Sequence, residues 1–161
     1  MPATDSTRQG EAEDFLFVSE FENRVDEKRR VQIPSDWRRG QEGMRLLLLP
    51  MPKSKMEWHP ACVMAVTPGR FRNMVRDLRQ MKVMDDRADS LRRLLSTRTS
   101  EVEVDSAGRI CMPENLVRSA DIKDRAVLAG MMDWFEIWNP DRYATLRSRD
   151  EERAAEAYQM L

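Results

Sequence analysis

One ten-residue phrase occurs twice in this chain, and it restricts the fold more than any other feature. Residues 25–34 read VDEKRRVQIP, and residues 104–113 read VDSAGRICMP. Four identities align without a gap: Val25 with Val104, Asp26 with Asp105, Arg30 with Arg109 and Pro34 with Pro113. Glu22 matches Glu101 upstream, and Ile33 matches Met112 in character. A chain of 161 residues has room for one domain, or for two small units sharing a core. The internal repeat favours the second arrangement.

The match continues downstream. The apolar run at residues 46–49 is paralleled at residues 126–129, and each reads as a strand. VTPGRF (66–71) then parallels WNPDRY (138–143). In both, a polar residue (Thr67, Asn139) stands where it caps a helix, and a proline (Pro68, Pro140) stands at the first helical position. Each unit is therefore expected to run strand, tight loop, short strand, helical turn, strand, strand, helix. Between its prolines the first copy is longer, and the extra length falls near PMPKSKMEWHP, which reads as an exposed loop. Phe71, Met74, Val75, Leu78 and Met81 form an apolar stripe at helical spacing over residues 70–84. Leu91, Leu94 and Leu95 indicate a second, shorter helix. The segments expected are a disordered N-terminal extension (1–14), a first unit with its helix (15–84), a connecting helix (85–98), a second unit (99–146) and a charged helical extension (147–161). Trp134 and Trp138 share one side of a strand, with Phe135 and Ile137 on the other. A strand apolar on both faces lies in the core or at a subunit interface.

The repeated loop carries the chemistry. An Asp opening a turn accepts bonds from the backbone N–H groups that follow it. Gly108 can take the positive φ that a tight reversal needs. Asp26 can pair with Arg30, and Asp105 with Arg109, across the mouth of each loop. Taken alone, either loop reads equally well as a plain hairpin turn with an ion pair. The first, however, presents Lys28, Arg29 and Arg30 in succession, donors that suit phosphate oxygens and, for arginine, the guanine edge in the major groove.

Composition limits the alternatives. With 41 % hydrophobic residues a packed core is possible, and the 27 Lys and Arg nearly cancel the 28 Asp and Glu. A protein that coats nucleic acid non-specifically is usually basic, so any such face here is local or assembled from several subunits. Cys62 and Cys111 are far apart, each in an apolar setting, and read as buried reduced thiols. No apolar run approaches the roughly 20 residues of a membrane span, and residues 1–14 lack the apolar stretch of a signal peptide. His59, the only histidine, has no nucleophile motif beside it, and there is no P-loop, no GxGxxG and no HExxH. Asp85, Asp86 and Asp89 read as a capped, solvated turn rather than a metal site. No enzyme activity, cofactor, metal or small-molecule substrate is expected.

FENRVDEKRRVQIP, VEVDSAGRICMP and the later run VLAGMMDWFEIWNPDRY together resemble the MraZ family, a branch of the SpoVT/AbrB-like swapped-hairpin DNA-binding proteins. The resemblance covers residues 15–146. It implies an α+β fold of two tandem SpoVT/AbrB-like β-rich units in a pseudo-two-fold arrangement, with amphipathic helices, assembling into a ring-like homo-oligomer. It implies a cytoplasmic, nucleoid-associated regulator of the division and cell-wall gene cluster. Such a protein binds direct repeats in promoter DNA with its DxxxR loops facing the duplex. Carried over by position, the DNA-binding residues are Arg30, Arg109 and Lys28, with Asp26, Asp105 and Gly108 organising the loops. The family's first loop carries Gly where this chain has Arg29, and a non-glycine residue at positive φ costs about 1 kcal/mol. The expectation is that loop one either has a different shape or orders only on DNA, with Arg29 a further contact candidate. The alternative function is an oligomeric protein-interaction module of the same fold with little DNA binding.

Overall fold

The computed structural model describes residues 16–38, 43–53, 61–82 and 84–161. The N-terminal extension at residues 1–14, most of the long loop before Cys62, and His59 lie outside the described residues. The strands are β1 (Glu20–Arg24), β2 (Arg30–Gln32), β3 (Arg45–Met51), β4 (Cys62–Val66), β5 (Ser100–Glu103), β6 (Arg109–Cys111), β7 (Arg125–Gly130) and β8 (Phe135–Trp138). The helices are α1 (Pro68–Gln80), α2 (Asp86–Arg98), α3 (Glu114–Ser119) and α4 (Pro140–Tyr158), with a 3-10 turn at Ser35–Arg38. The fold is α+β, and every strand pairing is antiparallel.

Six strands form one sheet in the order β1-β7-β8-β4-β3-β5. Both outer strands pair with the other half of the chain. β1 lies on β7, with Arg24 opposite Arg125, and β5 lies on β3, with Glu103 opposite Arg45. The halves meet at the centre, where Met64 of β4 faces Glu136 of β8. The two remaining strands, β2 and β6, form a separate ribbon in which Val31 faces Ile110.

Both faces of the sheet are covered. Leu46, Leu48, Val63, Leu128, Phe135 and Ile137 point to the side on which the ribbon, the 3-10 turn and α3 pack, and they form the main core with Val31, Ile110 and Trp37. Phe17 joins Trp37 and Phe135 there at ring-centroid distances of 5.5 and 5.2 Å. Period-two alternation sends the neighbouring residues to the opposite face. Leu49, Val66 and Leu95 pack there with Phe71 and Met74 of α1, while Cys62, Val127 and Trp138 pack with Leu146 of α4. Phe135, Ile137 and Trp138 are fully buried within this chain, which places this strand in the core. A fully buried side chain of this size contributes about 1.5–3 kcal/mol by leaving water.

The helix starts follow from their caps. Thr67 Oγ1 accepts from the Arg70 amide at 3.3 Å, and Asn139 Oδ1 accepts from the Asp141 and Arg142 amides at 2.8 and 3.1 Å. Asp85 caps α2 by accepting from the Arg87 amide at 2.9 Å, and Asp89 pairs with Arg92 at 3.0 Å, so this acidic cluster serves the helix. Two expectations need correction. α1 ends at Gln80, and Met81 is an extended cap residue that is partly exposed. Cys62 is buried, but Cys111 is exposed, because the pleat of β6 turns Ile110 inward and its neighbours outward.

Candidate nucleic-acid interface

Two loops lead from the sheet into the ribbon, at residues 26–29 between β1 and β2 and at residues 105–108 between β5 and β6. Their bonding is the same, position for position. In loop one, Asp26 Oδ1 accepts from the Lys28 and Arg30 amides, both at 2.9 Å, and Oδ2 accepts from Arg30 Nε at 2.7 Å. In loop two, Asp105 Oδ1 accepts from the Ala107 and Arg109 amides, both at 2.9 Å, and Oδ2 accepts from Arg109 Nε at 3.3 Å. Each loop closes with two main-chain bonds: Asp26 N–H to the Arg30 carbonyl and Arg29 N–H to the Asp26 carbonyl, and likewise Asp105 to Arg109 and Gly108 to Asp105. The Arg30 amide holds the Asp26 carboxyl below its usual range, and the Arg109 amide does the same for Asp105, each aided by its arginine's charge.

Arg29 leaves the shape of loop one unchanged. It takes φ 60°, and Gly108 takes φ 80° at the matching position. The Arg29 side chain folds back, and its Nε donates to the Met112 carbonyl at 2.9 Å. In loop two the matching carbonyl belongs to Ile33, and Arg38 Nε from the 3-10 turn takes it at 2.8 Å. A Cβ on Gly108 would lie 2.5 Å from the Arg38 guanidinium carbon.

The strands also brace each other's loops. The Gln32 amide donates to the Ala107 carbonyl at 3.0 Å, and the Cys111 thiol donates to the Lys28 carbonyl at 3.2 Å. The main chain crosses as well, with the Ile33 amide on the Gly108 carbonyl and the Met112 amide on the Arg29 carbonyl, both 2.9 Å. With Val31 and Ile110 turned into the core, Arg30, Gln32, Arg109 and Cys111 share the outward face of the ribbon.

The loops therefore stand side by side, and Arg109 Nη1 comes within 4.0 Å of Asp26 Oδ2. Each Asp pins its arginine through Nε. The two terminal nitrogens of Arg30 and the ammonium of Lys28 have no bond to the protein among the described residues. A guanidinium fixed at Nε presents its free edge as a preset donor pair for a phosphate or a guanine. Arg38 and Gln32 carry no signal in the sequence, because their counterparts in the second half are Val117 and Cys111. Away from the loops, burial and then the Glu136 carboxylate push the Cys62 thiol up, which leaves it unreactive near neutral pH.

Comparison with known proteins places the chain. The family model described as "MraZ protein, putative antitoxin-like" matches residues 95–161, which include loop two and all of α4. A "Transcriptional regulator MraZ" of Herpetosiphon aurantiacus is 32 % identical over 81 % of this chain and 86 % of its own. The protein of the same name in Roseiflexus castenholzii is 28 % identical over 87 % and 92 %, and that of Gluconobacter oxydans is 30 % identical over 86 % and 85 %. With a relative this similar along most of both chains, this protein belongs to the MraZ family.

Proposed function

We propose that this protein is a sequence-specific DNA-binding transcriptional regulator that reads promoter direct repeats through its two DxxxR loops. One observation carries this reading: two loops of identical bonding lie side by side, each holding an arginine by its Nε, with the terminal nitrogens of Arg30 unbonded among the described residues and Arg109 Nη1 within 4.0 Å of Asp26. Lys28, Arg30 and Arg109 are the contacts. Arg29 adds charge beside them while its Nε serves the loop, and Asp26, Asp105 and Gly108 set the loop shape. The names of the relatives support regulation of transcription as the role. The two halves act as tandem SpoVT/AbrB-like units related by a pseudo-two-fold axis between Val31 and Ile110. Copies assemble into a ring in the cytoplasm, associated with the nucleoid. The target is the promoter of the division and cell-wall gene cluster.

A ring answers the charge problem. One copy offers four loop cations on a chain of net charge −1, but a ring repeats them along one rim, and the field that matters is local. Adjacent loops then meet successive repeats, so the second contact is intramolecular.

The test is a titration against the DNA upstream of the protein's own gene at two salt concentrations, with Lys28→Ala, Arg30→Ala and Arg109→Ala combined in one variant. Binding that weakens steeply with salt and is lost in the variant sustains the reading. Equal binding by the variant, or no preference over a random duplex, removes it. The family's antitoxin-like description favours a second reading, a module that binds a partner protein. Binding to such a partner would be largely insensitive to salt.

A further inference from the structure

The helical side of the sheet is finished differently at its two ends. Over β3, α1 and α2 form a pair clipped together by Arg92, whose Nη2 donates to the Leu78 and Met81 carbonyls at 2.8 and 3.1 Å. Between these helices and the end of β3 lies an open apolar groove of about 340 Å³, with Leu49, Met64, Met74, Leu78, Met81 and Leu91 in its lining. Asp77 is the one charged residue of the lining, but the two helices around it are basic on balance: residues 68–98 carry nine Lys and Arg against four Asp and Glu. Arg76 and Arg79 of α1 and Lys82 just after it are exposed and form no ion pair among the described residues.

Over β7, α4 lies without a partner helix. Leu146 is its last buried residue, and everything from Arg147 to the end of the helix faces solvent. The segment at residues 150–161, DEERAAEAYQML, has four acidic residues against one basic. It also carries apolar side chains that stand mostly in solvent, with Tyr158 77 % and Met160 87 % exposed. The tail cannot fill the groove of its own chain. α4 leaves β8 and passes over β7, and it is tied to edge strand β1 where the Tyr143 hydroxyl and Arg147 Nη1 both meet the Glu20 carboxylate. The groove lies over β3, on the far side of β8 and β4 and roughly 14 Å back from β7 at ~4.8 Å per strand. With no Pro or Gly after Pro140, α4 has nothing to bend it back.

We propose that the acidic tail of α4 docks in the basic, apolar groove between α1 and α2 of a neighbouring copy. This rests on the oligomeric reading above and names its interface. Tyr158 and Met160 supply the apolar anchors, and the methionines of the groove adapt to them. Asp150, Glu151, Glu152 and Glu156 meet the exposed arginines, which sets orientation. Tail and groove lie on opposite ends of the sheet, so the contact is head-to-tail and passes from copy to copy until it closes.

Light scattering at micromolar concentration tests this with two variants. One is truncated after Arg149 and loses only exposed residues. The other carries Leu91→Glu, with Met81→Glu as a second groove variant should the first lose its fold by circular dichroism. Wild type is expected at a multiple of the 18.9 kDa chain mass, each variant near the chain mass, and an equimolar mixture of the two at twice that mass. The mixture forms only dimers because each member keeps one half of the contact. A truncated protein that keeps the wild-type mass overturns the proposal and leaves the oligomer standing. A wild type at the chain mass overturns both.

Discussion

Loop one and loop two reach the same backbone geometry with different side chains. In loop one the residue at positive φ is Arg29, and its own guanidinium satisfies the facing carbonyl. In loop two that residue is Gly108, and Arg38 reaches in to satisfy the facing carbonyl and fills the space a side chain would take. Each loop thus has one bracing guanidinium, local in the first and remote in the second. The left-handed strain on Arg29, about 1 kcal/mol, is offset by a charged hydrogen bond of about 1.5–3 kcal/mol. A glycine at such a site is therefore dispensable only when its replacement takes over the bracing bond. The loops differ at the tip too, where Lys28 stands in one and Ala107 in the other.

The difference at the tips can be broken on DNA, where the largest effect is expected. Replacing Lys28 and Arg30 by Ala should weaken binding on the order of a hundredfold, while Arg109→Ala should weaken it about tenfold. The salt slope should fall about twice as far in the first variant as in the second. Equal slopes would mean that the loops contact DNA equally. The next effect is on folding. Gly108→Arg should lower stability by about 2–3 kcal/mol in urea unfolding, through strain and displacement of Arg38. Adding Arg38→Ala should restore much of it by freeing the space Arg38 fills, with Gln32 Nε2, 2.6 Å from the same Cβ position, left to shift. A double variant as unstable as the single one would show that the two braces are not equivalent.

Arg29 gives a smaller, sign-sensitive effect. Arg29→Ala keeps the strain and loses the bond, and should destabilise by about 2 kcal/mol, whereas Arg29→Gly should stay within about 1 kcal/mol of the parent. Arg29→Ala as stable as the parent would refute the bracing role, and alanine performing better than glycine would refute the strain. The smallest effect is with acid. Asp26 and Asp105 have folded values below the ordinary 3.8, so their contribution is complete above that value and is lost as pH falls through the lower folded values. Protection of the Arg30 and Arg109 amides, relative to the intrinsic exchange rate at each pH, should persist at pH 4 and fall in both loops at stronger acidity. Protection already lost at pH 5 would contradict the depressed values.

Much of this was legible from local patterns. The repeat located both loops, and the Asp, Arg and Pro spacing carried the turn and the short strand after it. Thr67 and Asn139 announced their helices. What stayed hidden depends on distant contacts. The apolar runs of β3 and β7 look alike, so nothing in them says that β3 takes β5 and β7 takes β1. Arg38 lies in the first half but serves the loop of the second, and its counterpart Val117 offers no matching donor. Cys111 sits in an apolar phrase, yet a three-residue strand buries one side chain only.

The exchange of outer strands has a consequence for synthesis. Glu20 of β1 must find Ala129 of β7, so the first strand made waits for one of the last. At about 5–20 residues per second, the intervening chain of roughly a hundred residues takes about 5–20 s to emerge. During that interval β1 and β3 present bare hydrogen-bonding edges, the form of strand most prone to pairing with other chains. Pairings so distant in sequence also slow the search for the native state. The first half on its own is therefore an aggregation hazard, and the ribosome releases a foldable molecule only once the second half is complete.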